Sequence, residues 1–488
     1  MGRVIAVDIG ASSYRIIEGI YKEGQLTMKV LARFRHSPVW ENGHYHWNVF
    51  EIVQRVSAVL QEAAKKGERI ISIGFDTFGT DFGVLDENGN LLDNPLAYRD
   101  DISDGMYQQF FQNEKELYQS IGGTFATTCT AHILKGMEET QYLPLKKAKY
   151  LLFMPDLMAY FFTGCRINES TIATTSRLLD ITTKKWCEPL IDKLGIPLEI
   201  FHPLLEAGTV IGKLKREISL GIPNLEDTVV TAVASHDTAS AVVTIPDIEQ
   251  CSFISSGTWS VKGIVSNKTY VSQEACNYKI TNEGQPWGRY RLIRNITGLW
   301  LVEECVRNWK EKGVTVDIPD LVNRASMTPN FPSVIYTDAE DFAKAGNMPD
   351  KIQAYCKRTN QKVPDTPVDI MQTIVQGLAC EYRRHNEELA EVTGNKIRSL
   401  YIVGGGRNNR YLNQSAADAT GCTVIAGHPE ATAMGNLMVQ LWACGEITSI
   451  KEFPIVAGRD VEQEVYKPRK KDEWEQKYAC YLRLLKNM

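Results

Sequence analysis

"VDIGASS", Val7 to Ser13, and "ISSGTWS", Ile254 to Ser260, decide how this chain is read. Each is an apolar strand running into a turn of small residues. One stands near the start and the other just past the middle, so the two halves look built on one plan. No short-period repeat and no low-complexity segment accompanies them. At 488 residues the chain exceeds what one hydrophobic core supports, and two or three domains are expected.

Outward from the first turn, a strand is predicted at Val4–Val7, ending in Asp8-Ile9-Gly10, and a second near Met28–Phe34. Apolar residues at Val49, Ile52, Val53, Val56, Val59, Leu60 and Ala63 then have helical spacing, with Gly67 as the C-terminal cap. "IISIGFD", Ile70 to Asp76, reads as a buried strand that again ends in an aspartate. Strand, strand, helix, strand is an α/β opening.

Around the second turn, "DTVVTAVASHD" and "CSFISSGTWSV" are both strand-like. The segment between them, "VVTIPDIEQ", contains Pro246, and the domain boundary is placed here, giving domains of 1–245 and 246–488. Further on, "TPVD" at Thr366–Asp369 is a capping-box start with Pro367 at the first helical position. That helix is predicted to run to Thr393, where Gly394 stops it. "RSLYIVGGG" reads as a strand entering a glycine turn.

Three small-residue turns at strand ends share one chemistry. Gly10-Ala11-Ser12-Ser13 and Ser255-Ser256-Gly257-Thr258 offer backbone N–H groups and hydroxyls to an anionic oxygen. Gly404-Gly405-Gly406 lets a flat group such as a purine approach the backbone. Singly each is an ordinary turn; together, in both halves, they fit a nucleotide held between two domains. Neither G-x-x-x-x-G-K-[ST] nor a G-x-G-x-x-G opening a helix is present, so this is neither a P-loop nor a dinucleotide fold.

"ASHDTASA", Ala234 to Ala241, ends another strand among small residues, which leave room for a ligand to come close to the backbone. Asp237 there could orient a loop, bind a metal, take a proton or simply cap a helix begun by "TASAVV". A Ser-His-Asp hydrolase built on "SHD" is geometrically poor, since adjacent residues point in different directions, and no G-x-S-x-G elbow exists.

A formal net charge of −5 gives no reason to expect nucleic acid or an anionic membrane as partner. "YKPRKK" near the end reads as a solvated run before the last helix. The 11 cysteines are odd in number and lack C-x-x-C spacing, so neither a zinc ribbon nor a redox pair is suggested. The first apolar stretch is broken by Asp8, and no window reaches membrane-spanning length. A cytoplasmic protein with reduced thiols is therefore expected.

"VDIGASSYR", "GFDTFGTDFGVLD", "ASHDTASA", "SSGTWS" and "YIVGGGRNN" resemble, in this order, the motifs of the FGGY carbohydrate kinases. "MPDLMAYFFTG", "ITNEG…GRYRLIRNITGLWL" and "NQSAADATGCTVIAG" extend the resemblance over nearly the whole chain, toward those members that act on L-rhamnulose. It implies two actin-like, ribonuclease-H-like domains flanking a cleft that closes on ATP and sugar, with a hinge near residue 245. Asp237 matches the catalytic base, with His236 and Thr238 beside the sugar. Gly79 and Asn295 match further substrate contacts. Ala11, Ser12, Ser13, Tyr14 and Arg15 match the first phosphate loop, Thr258 the second, and Gly405 the adenosine side. Asp8 matches the aspartate that acts on Mg²⁺, usually through water. The implied partners are a ketose and ATP, and the expected assembly is a monomer or homodimer.

The pattern departs on the sugar side. In "YRDDIS" Asp100 is followed by Ile102, where the family has arginine. In "FATTCTAHILK" His132 replaces an aromatic. Tyr14 stands where the members that act on L-rhamnulose have glycine, a position that varies in the wider family, and Glu303 replaces a glutamine linked with ATP. L-Rhamnulose is the first expected acceptor, phosphorylated at its C1 hydroxyl; L-fuculose, ribulose, xylulose or another ketose stays open. The competing class is an actin-like ATPase that couples nucleotide to a protein partner. It needs only the phosphate loops, so Asp237 and "DTFGTDF" argue against it.

Overall fold

Strand Gly2–Ile9 (β1) is buried along its whole length, so both faces of its sheet must be covered. The computed structural model describes residues 2–105, 114–126, 128–245, 251–459 and 463–486. Strands Ser13–Lys22 (β2), Gln25–Arg35 (β3), Ser72–Thr77 (β4), Val210–Lys213 (β5) and Val229–Thr231 (β6) complete a sheet of order β5-β6-β4-β1-β2-β3. β1 runs antiparallel to β2 and parallel to β4, with Asp8 opposite Asp76.

Alternation along β1 sorts its side chains between two cores. Ile5, Val7 and Ile9 pack with Val49, Ile52, Val56 and Leu60 of helix Val49–Lys65. Val4 and Ala6 pack with Met434, Leu437 and Leu441 of helix Ala431–Ala443.

The chain divides into two compact units. The first comprises Met1–Thr244, Ser266–Arg291 and Ala431–Val461; the second comprises Ile245–Val265, Leu292–Glu430 and Glu462–Met488. The chain thus crosses from one unit to the other several times. Pro246, just past the predicted boundary, lies with 246–250 outside the described residues, as does Thr127 of "FATTCTAHILK".

In the second unit, strands Trp259–Ser266, Cys251–Ser256, Ser399–Val403, Thr423–Ala426 and Glu464–Tyr466 lie side by side in that order. Ile254, Leu400, Ile402 and Val424 pack on Ile374, Val375 and Leu378 of helix Pro367–Thr393. That helix has the predicted capping box between Thr366 and Asp369, Pro367 at its start, and Gly394 in the left-handed conformation at its end.

Three sequence expectations need correction. Gly67 does not cap the first helix; Lys66 does, in right-handed conformation, so no glycine is needed. Ser13–Lys22 is a full strand, which the sequence reading treated only as the tail of a phosphate loop. "CSFISSGTWSV" is two strands broken at Gly257-Thr258 rather than one. The basic run before the last helix, Lys471–Lys486, is exposed as expected. Among the described residues, no helix is long and apolar enough to cross a membrane.

Candidate active site

The end of β6 leads through Ala232–Ser235 to Asp237. Thr77 N–H donates to the Ser235 carbonyl at 2.9 Å, and Thr77 bridges His236 in parallel, so this stretch continues alongside β4. Glu169, fully buried, accepts from the Ser235 N–H at 3.2 Å; burial pushes its carboxyl up to about 7. Helix Asp237–Val242 starts with Asp237 itself, while His236 occupies the N-cap position without a capping side-chain bond. Asp237 is thus not the cap that "TASAVV" allowed.

The Asp237 side chain is 35% exposed. Its Oδ1 accepts from the Thr238 N–H and, at 3.1 Å, from the Thr238 hydroxyl. His236 Nε2 lies 3.4 Å from the same oxygen. Among the described residues no donor reaches Oδ2, so one oxygen is held and the other keeps its lone pairs. The small residues after it have a different use from the one expected. Ala239, Ser240 and Ala241 are buried, and a Cβ on Gly435 of helix Ala431–Ala443 would come within 1.8 Å of the Ser240 carbonyl. They permit close helix packing instead of making room for a ligand.

Asp8 and Asp76 end neighbouring strands. Asp8 pairs with Arg15 at 2.5 Å. Asp76 accepts from Asn436 Nδ2 at 2.5 Å, while its other oxygen is buried without a partner. Burial pushes the Asp76 carboxyl well up; Asp8 and Asp237 add to this, and the Asn436 bond opposes it. The adjoining turn is pinned by Gly10 N–H to the Ser13 carbonyl at 3.0 Å and by His36 Nε2 near the Gly10 carbonyl at 2.6 Å. Ala11 and Ser12 are exposed, and Ser13 begins β2. Tyr14 is buried against Phe34 and His36, so its side chain belongs to the core and only its backbone borders the turn.

Gly79 sits where a Cβ would meet Thr175 at 3.1 Å, and Thr80 beside it takes a positive φ of 79°. Asp81 is buried and accepts from Trp47 Nε1 at 2.6 Å and from the Tyr98 N–H at 3.2 Å.

In the second unit, Thr258 lies in the turn between its two strands, and its hydroxyl donates to Glu303 at 3.4 Å. Both are exposed, as is Asn295 on strand Arg289–Thr297. Gly404 has φ +80°, and a Cβ there would come within 2.8 Å of the Ser256 carbonyl; one on Gly406 would collide with the Ser256 hydroxyl at 2.0 Å. A Cβ on Gly405 would meet nothing, so this glycine alone leaves its face open.

The expected sugar-side departures fall in the core. Ile102 is 5% exposed among Phe82, Phe125 and Leu134. His132 is fully buried, 3.2 Å from Cys129, and burial lowers it to about 4. Asp100 caps the short turn Asp101–Ser103 and contacts His44 at 2.8 Å; with Asp101 these residues could hold a metal ion, yet capping already accounts for Asp100. Sequence reasoning missed Glu169, Glu283, Arg177 and Arg291, all buried around His236. "ITNEG" and "GRYRL" carried two of them, but only as resemblance, because spacing gives no sign that they meet Arg177 and His236.

The FGGY family's N-terminal kinase domain matches residues 3–244, and its C-terminal domain matches residues 252–444. The chain belongs to the FGGY family of carbohydrate kinases. This FGGY kinase is similar to a rhamnulokinase of Oceanobacillus iheyensis, 36% identical over 92% of this chain and 94% of the relative. It is also similar to a rhamnulokinase of Enterococcus faecalis, 38% identical over 91% and 90%. In structure it resembles a ligand-bound xylulose kinase from Lactobacillus acidophilus, with a TM-score of 0.83 at 14% identity, covering 100% of this chain and 98% of the other. That likeness shows the fold, an α/β architecture with two actin-like domains. The FGGY kinase is an ATP-dependent phosphotransferase acting on a sugar hydroxyl, which removes the partner-coupled ATPase and the hydrolase as readings.

Proposed function

We propose that this FGGY kinase transfers the γ-phosphoryl group of ATP to the C1 hydroxyl of L-rhamnulose. The observation that carries the acceptor is the similarity to rhamnulokinases over more than nine-tenths of the chain. The core placement of Ile102 and His132 supports it too, because a side chain packed in the core is not a surface retuned for another ketose.

Asp237 is the base. Its Oδ1 is engaged by Thr238, so Oδ2 takes the hydroxyl proton while the new P–O bond forms. Gly79, His236, Thr238 and Asn295 bind the sugar. Ala11–Arg15 and Thr258 bind phosphates, Gly405 admits the adenine, and Glu303 orients Thr258. Mg²⁺ usually keeps several of its waters when carboxylates bind it. Asp8 would hold it through water. When bound, Mg²⁺ offsets the charge on the transferring phosphoryl group. The working compartment is the cytoplasm, consistent with cysteines that stand as thiols and not in disulfides among the described residues.

A coupled assay of ADP release with L-rhamnulose, L-fuculose, ribulose and xylulose tests the acceptor. L-Rhamnulose should give the highest kcat/KM by about tenfold or more. An equal or higher value for another ketose overturns it.

A further inference from the structure

We infer that Arg291 is a positioning residue that sets the tautomer of His236 and thereby the face which the base presents to its substrate. The inference rests on Asp237 being that base. Arg291 is fully buried in the first unit. Its Nη2 lies 3.1 Å from His236 Nδ1 in hydrogen-bond geometry. A guanidinium has only donors, so Nδ1 must accept. The single hydrogen of the neutral ring then sits on Nε2, 3.4 Å from Oδ1 of Asp237.

A hydrogen at that position attracts the carboxylate, whereas a lone pair would repel it. It adds to the Thr238 donors on Oδ1 and leaves Oδ2 as the proton acceptor.

Arg291 needs its own support, since an unpaired buried cation is strongly unfavourable. Nη2 also lies 3.2 Å from Glu283 Oε2 and 3.0 Å from the Gly284 carbonyl, so its two hydrogens are shared among three acceptors. Glu283 is shared with Arg177 at 3.2 Å. Glu283 Oε2 lies 3.2 Å from His236 Nδ1 as well. Were Arg291 absent, that carboxylate would draw the ring hydrogen onto Nδ1 and turn the Nε2 lone pair toward Asp237. Although burial pushes the Glu283 carboxyl up, the charges of Arg291 and Arg177 beside it pull it down. It is therefore a charged neighbour throughout the working range of the enzyme.

The test uses the full-length protein with isotope-labelled histidine. Two-bond proton–nitrogen NMR correlations report which ring nitrogen carries the hydrogen, and His236→Gln identifies the signals by their loss. Above neutral pH the expected result is hydrogen on Nε2 and a bare Nδ1. In Arg291→Met the hydrogen moves to Nδ1, and kcat falls by about tenfold or more with KM for ATP unchanged. Hydrogen on Nδ1 in the unsubstituted enzyme overturns the inference, and so does an unchanged Nε2 signature in Arg291→Met. The unsubstituted spectrum decides alone if Arg291→Met does not fold. Failure of Asp237 as base is read separately, as retained turnover in Asp237→Asn, which leaves the His236 spectrum to stand on its own.

Discussion

Asp8 and Asp76 are register partners on adjacent parallel strands, and each has different company: Arg15 pairs with the first and Asn436 donates to the second. Two buried neighbouring carboxyls do not both ionise readily. Arg15 pairs with Asp8, and burial, with the charges of Asp8 and Asp237, pushes the Asp76 carboxyl well up, toward its protonated form. Asp76→Asn, which mimics a protonated acid, should therefore keep its urea midpoint and most of its turnover. Asp8→Asn removes the carboxylate charge that faces Arg15 and should lose about 1–3 kcal/mol of stability together with most of kcat. Urea titration and the coupled assay on both variants decide this; the opposite ranking would refute the assignment.

Asp237→Asn keeps the Thr238 contacts possible and removes the base. Turnover should fall by about 10²–10⁴-fold. ATP binding, followed by calorimetry, should stay within error of the parent enzyme. Weakened ATP binding together with full kcat would assign Asp237 to the nucleotide instead.

Asp81 makes the fold itself pH-dependent. Burial raises its carboxyl to about 7, against the bonds from Trp47, Tyr98 and Thr80, from an ordinary value of 3.8. Between about pH 4 and 7 the folded state thus holds more protons on this group than the unfolded chain does. Its contribution to stability is greatest below that window and is lost as pH rises through it. Asp81→Asn cannot titrate, so its thermal midpoint should decline less across that window than the parent's. Parallel pH profiles would show that Asp81 is ionised in the fold.

Ile102→Arg, which by resemblance would restore a cation near the sugar, should unfold the protein before it retunes it. The site is packed among aromatic and aliphatic side chains, and an unpaired guanidinium there costs several kcal/mol. A sharply lower thermal midpoint with an unchanged ranking of ketoses is expected. A stable variant with a new preferred acceptor would place residue 102 at the sugar after all.

Much of this arrangement was legible in the sequence because it rests on local rules. The Thr366 capping box, the Gly394 stop and the strand ends at Asp8 and Asp76 are set by neighbours in the chain. Strand Ser13–Lys22 was missed because its first residues read as a phosphate turn. The roles of Ala239 to Ala241 were misread because Gly435, which explains them, lies nearly two hundred residues away in the chain. The shell of Arg177, Glu283 and Arg291 about His236 was invisible for the same reason. Buried charges are recognised by their partners, and partners distant in sequence leave no periodic trace.

The helix Ala431–Ala443 belongs to the first unit, yet a ribosome makes it only after Leu292–Glu430 of the second. Until it emerges, one face of the first two strands, with Val4 and Ala6 on one and Ile17 on the other, lacks most of its cover. During translation the nascent amino-terminal half must therefore wait with an apolar sheet in contact with solvent or a chaperone. A gene fragment that stops after residue 244 should accordingly yield aggregates rather than a soluble lobe.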